Sequence, residues 1–152
     1  MSPTLLSQPS FVAAHPAPKL LLPAVIIDDS TTIRACLKAW LPKAGFRVVA
    51  EGTTGKQAVA LFKEHRPALI TLDIVLPEMD GVAAAGNILR EFPDANVVTC
   101  SSLSARDKAI ACRQLGVRRF LLKPLTEEKL VQAVRTIWEQ LAVEHPNMEQ
   151  AP

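Results

Sequence analysis

The chain alternates short runs of apolar residues with longer stretches in which apolar positions recur every three or four residues. Residues 24–28 are apolar until a terminal acid and read as a strand. Ser30 follows as a helix N-cap before Ile33, Cys36, Leu37, Trp40 and Leu41, with Pro42 and Gly45 closing the segment. The pattern then predicts strand 46–50, helix 54–65 with Ala58, Leu61 and Phe62 facing inward, and strand 69–73. Pro77 and Asp80-Gly81 stop that strand. Helix 82–92, strand 96–101, helix 105–115, strand 118–122 and helix 126–141 complete the alternation, with Ser102 or Ser104 capping the fourth helix and Gly116 ending it.

Strands that are apolar throughout, rather than at every second position, are those buried on both faces of a parallel sheet. With right-handed crossovers the expected fold is α/β, a doubly wound five-stranded parallel sheet flanked by five helices. Residues 1–19 carry Pro3, Pro9, Pro16 and Pro18 and read as a disordered proline-rich arm. Residues 20–142 form the expected domain, and 143–152 a flexible tail.

Composition narrows this picture only slightly. With aromatics at 5% and no Tyr, Leu, Val, Ile and Ala must fill the core. A net charge of +2 implies neither a nucleic-acid footprint nor a membrane-seeking surface. No apolar run approaches the ~18 residues of a membrane span. Cys36, Cys100 and Cys112 lack the spacing of a disulfide framework or a zinc site, so the expected compartment is the cytoplasm.

In doubly wound sheets a ligand sits beyond the carboxyl ends of the strands, where the strand order reverses. Asp28 and Asp29 close the first strand, Asp73 the third, Ser101 the fourth and Lys123 the fifth. Three carboxylates gathered there repel one another and do not all stay ionised unaided. A hard divalent cation relieves the repulsion, and oxygen-only donors suit Mg2+. Asp73 is then a nucleophile towards phosphorus, with the metal, Lys123 and the Ser101 hydroxyl stabilising charge on the phosphoryl oxygens.

Ile26-Ile27-Asp28-Asp29-Ser30, the run from Leu72-Asp73 to Asp80-Gly81, Cys100-Ser101-Ser102 and Leu122-Lys123-Pro124 together resemble the receiver domains of two-component response regulators. The resemblance covers about residues 22–141, and the stretch 73–81 is similar to the stand-alone chemotaxis type. It implies a flavodoxin-like fold, with Asp73 accepting a phosphoryl group from a histidine kinase. It also implies that Asp28, Asp29, Asp73 and the backbone carbonyl of Val75 bind Mg2+, with Asp29 the more direct of the acidic pair. Ser101 and Phe120 would be the switch, Lys123 and Ser101 would bind the phosphoryl oxygens, and the Lys123-Pro124 bond would be cis. Four positions depart from common family usage: Val75, Leu103, Phe120 and Leu125. Val75 and Leu103 would border the approach of water to a phosphorylated Asp73.

Read singly, Asp28-Asp29 is a helix-capping pair, Phe120 a core aromatic and Lys123 a solvated strand end. Only their combination points to phosphoryl chemistry. Gly55-Lys56-Gln57 fails as a nucleotide loop because its first glycine and its Ser or Thr are missing. His15, His65 and His145 fit no ligand pattern. Arg106, Arg113, Arg118 and Arg119 are a solvated face or a docking surface for an acidic partner, with Phe120 among them. The expected molecule is a phospho-accepting signalling protein rather than an enzyme, whose output is contact with a downstream target. A phosphorylation-independent scaffold is the alternative. A Mg2+-dependent aspartyl-phosphate phosphohydrolase is disfavoured, since that chemistry places a second Asp where Val75 stands.

Overall fold

The structure, a computed structural model, describes residues 20–145. Its strands are β1 (Leu22–Ile27), β2 (Phe46–Gly52), β3 (Leu69–Asp73), β4 (Val97–Ser101) and β5 (Arg119–Leu122). Its helices are α1 (Thr31–Trp40), α2 (Gly55–His65), α3 (Gly81–Glu91), α4 (Arg106–Gln114) and α5 (Glu127–Glu144). All five strands pair in parallel in the order β2-β1-β3-β4-β5. This is the expected doubly wound sheet.

Period-two geometry turns the apolar strands into two cores. Val25, Ile27, Ile70 and Leu72 face Ala58 and Phe62 of α2, Ile88 of α3 and Cys112 of α4. Ala24, Ile26, Leu69 and Val98 face Leu37 of α1 and Leu130, Val134 and Ile137 of α5. Each strand thus carries apolar groups on both sides, which is why its sequence shows no alternation. Three helices cover one face and two the other. No helix among the described residues is long and apolar enough to cross a membrane.

Several boundaries differ from those expected, each for a local reason. Strand β2 runs on to Gly52, because Asp28 N–H bonds to Gly52 O at 3.1 Å and prolongs the pairing with β1. Pro42 sits in a 3-10 turn (Leu41–Ala44), where its missing N–H costs nothing. Helix α4 is preceded by a second 3-10 turn (Leu103–Ala105), and neither Ser102 nor Ser104 caps it. Their hydroxyls bond to each other at 2.7 Å instead. Helix α5 continues past Leu141 to Glu144, since Ala142, Val143 and Glu144 contain no breaker before Pro146. The residues expected as an arm (1–19) lie outside the described residues, as do 146–152 of the expected tail.

One buried group stands out in the central strand. Thr71 is buried, paired in register with Ile26 and Val98, and its hydroxyl has no hydrogen-bond partner among the described residues. A desolvated hydroxyl without a partner costs stability, and Val fills the same volume without it. Thr71→Val is expected to stabilise the fold by roughly 1 kcal/mol, read as a higher midpoint of urea unfolding. A lower midpoint would mean that the hydroxyl is satisfied.

Candidate functional site

The sheet register brings the candidate residues together. Ile27 pairs with Leu72, so Asp28 and Asp73, the next residue on each strand, leave the sheet side by side. Asp73 pairs with Cys100 and Ser101 with Leu122, so Ser101 and Lys123 follow on the same edge. The site lies where β1 connects to one side and β3 to the other, the reversal point of the winding.

Asp28 and Asp73 are only 2% and 6% exposed, so their charges must be answered by protein groups. Lys123 answers both. Its Nζ donates to Asp73 Oδ2 at 3.1 Å and to Asp28 Oδ2 at 3.3 Å. The remaining oxygens take backbone donors, Ser30 N–H to Asp28 Oδ1 at 2.9 Å and Val75 N–H to Asp73 Oδ1 at 3.1 Å. The Lys123 N–H donates to Ser101 O at 2.7 Å, and the Lys123-Pro124 bond is cis. Asp29 is exposed, yet one oxygen from each of Asp28, Asp29 and Asp73 can lie within 4.8 Å of the others.

The electrostatics follow from this crowding. Burial, reinforced by the Asp28 charge, holds the Asp73 carboxyl above its usual pKa despite the opposing pull of Lys123 and the Val75 N–H. Burial works against the Lys123 ammonium, but the hydrogen bond and charge of Asp73, with Asp28 behind them, outweigh it and raise its pKa. Burial, with a smaller push from the Asp28 charge, drives the Cys100 thiol up to about 12, so it stays protonated and offers no soft ligand. Three hard carboxylate oxygens, only two of whose groups are met by an ammonium, are a donor set that fits a divalent cation.

The loop after Asp73 is held by close approach. A side chain at Gly81 would collide with the Asp73 carbonyl, and one at Gly55 with the Met79 carbonyl. Gly81 N–H bonds to Ile74 O at 2.6 Å, and Asp80 caps α3 through Ala83 N–H at 3.0 Å. Lys108 of α4 reaches Asp80 at 3.3 Å, tying this loop to the neighbouring helix.

Beside Ser101 lies a groove of about 580 Å³ lined by Leu103, Arg106, Ile110, Arg113 and Phe120. Phe120 is half-buried, with the Arg113 guanidinium 5.4 Å from its ring centroid. Arg118 is not part of this groove. With Arg119 it borders a separate cavity of about 400 Å³ beside the C-terminal half of α5, because it precedes β5 at the other end of the sheet. Leu125 packs into the α1/α5 core.

The family model described as the response regulator receiver domain matches residues 24–135. The chain belongs to this family. As a receiver domain it is similar to the chemotaxis protein CheY of Bacillus subtilis (strain 168), with 38% identity over 72% of this chain and 92% of that protein. CheY of Thermotoga maritima is 34% identical over 74% of this chain and 94% of that protein. Among solved structures, the CheX-CheY-BeF3-Mg+2 complex from Borrelia burgdorferi matches with a TM-score of 0.73 and 29% identity, covering 78% of this chain and 90% of that one. The REC domain of AraT from Geobacillus stearothermophilus gives a TM-score of 0.76 at 25% identity, over 82% and 98%. The fold is the flavodoxin-like fold of receivers.

Arg34 escaped the sequence reading. Its Nη1 donates to the Asp28 carbonyl at 2.7 Å and its Nε to Glu51 at 2.9 Å. The available signal was its place four residues after the Ser30 cap, since helical side chains lean towards the N-terminus.

The raised pKa of Asp73 has a definite sign in stability. The folded receiver binds this proton more tightly than the unfolded chain, so stability falls as pH rises from the unfolded pKa to the higher folded one. Asp73→Asn in EDTA is therefore expected to raise the unfolding midpoint at pH 7 by about 3 °C, the size of effect ~1 kcal/mol produces in such a domain. The difference should shrink towards pH 3, where both states are protonated. A variant that melts lower at pH 7 would mean the Lys123 pair outweighs the repulsion.

Proposed function

We propose that this receiver takes a phosphoryl group onto Asp73 from a histidine kinase in a Mg2+-dependent reaction, and signals by changing which proteins it binds. Receiver domains accept phosphoryl groups and signal as a family, and CheY is a chemotaxis protein. Support for the residue assignment rests above all on the Lys123 ammonium, which lies within hydrogen-bonding distance of both buried carboxylates. In this reading Asp28, Asp29, Asp73 and the Val75 carbonyl hold Mg2+, which when bound supplies positive charge against the phosphoryl oxygens. A carboxylate oxygen of Asp73 forms the O–P bond as the P–N bond of a phosphohistidine donor breaks, and the imidazole leaves with the electron pair. Lys123 then moves its contact from Asp73 Oδ2 to a phosphoryl oxygen.

The new dianion draws the Ser101 hydroxyl towards it, and Phe120 turns into the space that opens. Both line the groove bordered by Arg106 and Arg113. Its apolar floor and basic rim suit an acidic amphipathic segment of a downstream protein. A chemotaxis pathway accords with the CheY relatives.

Intact-protein mass after incubation with acetyl phosphate tests this directly. A gain of one phosphoryl group is expected with Mg2+, with none in EDTA and none in Asp73→Asn. Labelling of the variant would remove Asp73 from its role, and no labelling of the parent would favour a phosphorylation-independent scaffold. Val75 and Leu103 are 54% and 76% exposed and apolar, and neither can orient a water against the phosphorylated site. Val75→Asn is expected to shorten the half-life of the label by about threefold or more, since a polar group there can position the attacking water. An unchanged half-life in a chase experiment would place water entry elsewhere.

A further inference from the structure

Asp28 is held at every polar atom. Its N–H donates to Gly52 O at 3.1 Å, its Oδ1 accepts from Ser30 and its Oδ2 from Lys123. Its carbonyl accepts from Arg34 Nη1 at 2.7 Å, the shortest of these contacts. The same guanidinium is braced from behind, because its Nε donates to Glu51 Oε1 at 2.9 Å and Lys38 holds Glu51 Oε2 at 2.8 Å. Glu51 sits in register with Ile26, two residues before Asp28, so the brace is rooted in the sheet. The Arg34 side chain is 15% exposed, which leaves it little freedom to wander. A guanidinium holds its donors in one rigid plane, so its two contacts fix each other's direction, whereas an ammonium on a flexible stem does not impose that geometry.

The consequence lies one residue further on. The Asp28 carbonyl belongs to the planar peptide group that joins Asp28 to Asp29, so fixing its direction fixes the plane from which Asp29 departs. Asp29 is exposed, and its direction depends on that backbone.

We infer that Arg34 is the positioning residue for the Asp28-Asp29 pair and sets the affinity of the site for Mg2+ without touching the ion. The inference rests on the reading of Asp28, Asp29 and Asp73 as a magnesium site. It has a signature that a simple charge effect lacks. Removing a cation near an acidic cluster tightens the binding of a divalent cation, whereas loosening the ligands weakens it.

The test is calorimetric titration of the full chain with MgCl2, for the parent, Arg34→Met, Arg34→Lys and Lys38→Ala. Arg34→Met keeps the packed stem and removes the donors, and is expected to raise the Mg2+ dissociation constant about tenfold. Arg34→Lys keeps the charge and should still bind several-fold more weakly than the parent. Lys38→Ala removes an exposed partner of Glu51 but leaves the Asp28 carbonyl contact, and should bind within about twofold of the parent, a loss typical of an exposed pair. Circular dichroism melts in EDTA show whether each variant is folded, and Arg34→Lys carries the test if Arg34→Met is not. A folded Arg34→Met or Arg34→Lys with unchanged or tighter affinity overturns the inference alone. A parent that binds no Mg2+ overturns the magnesium reading itself, and the inference with it.

Discussion

The Lys123 ammonium between Asp28 and Asp73 is the contact on which the arrangement of the strand ends depends. Two carboxylates this buried and this close are unfavourable together, as the raised pKa of Asp73 shows. One cation shared between them makes the geometry tenable, and it comes from the far edge of the chain, fifty residues beyond Asp73 and ninety-five beyond Asp28. The parallel sheet must therefore place β1, β3, β4 and β5 in register before any compensation is felt. That requirement explains why so much of the molecule is apolar scaffolding, with both faces of every central strand buried.

Compensation is nonetheless partial. Lys123 reaches only the two buried carboxylates, and the third, Asp29, is exposed to water beside them with no share of that ammonium. A site left short of positive charge is unstable towards protons and receptive to divalent cations, both consequences of one electrostatic fact. The neighbouring Cys100 thiol shows the same environment from another side. Buried and beside the carboxylates, it is held protonated, a small apolar filler rather than a nucleophile.

Element types and the winding of the sheet were legible in the sequence, because a strand buried on both faces and an amphipathic helix write different periods. The convergence of Asp28, Asp73, Ser101 and Lys123 was legible too, since each ends or follows a strand on the same edge. What the sequence hid were interactions with no period. Nothing in the run Ser102-Leu103-Ser104 distinguishes a hydroxyl that caps a helix from two hydroxyls bonded to each other. The brace from Arg34 to Glu51 joins residues seventeen apart on different elements, and only the pairing of β1 with β2 brings them together. Likewise Arg118 and Phe120, two residues apart in sequence, border different cavities, because Arg118 precedes β5 while Phe120 lies within it.

The position of the groove follows from where the sheet is free to yield. β1 and β3 have a strand on each side and helices over both faces, so displacing them disturbs two ladders and two cores at once. β5 has one neighbour and is four residues long, and its Leu122 is already half in solvent. Ser101 and Lys123 are joined through the backbone by the Lys123 N–H, so a pull on either side chain is shared by the ends of β4 and β5. In the reading proposed above, charge arriving at Asp73 acts on this compliant edge while the acidic pair at the end of β1 stays put. A rigid metal-binding side and a yielding partner-binding side are what a switch of this kind requires, and on that reading the strand order β2-β1-β3-β4-β5 would supply both from one sheet.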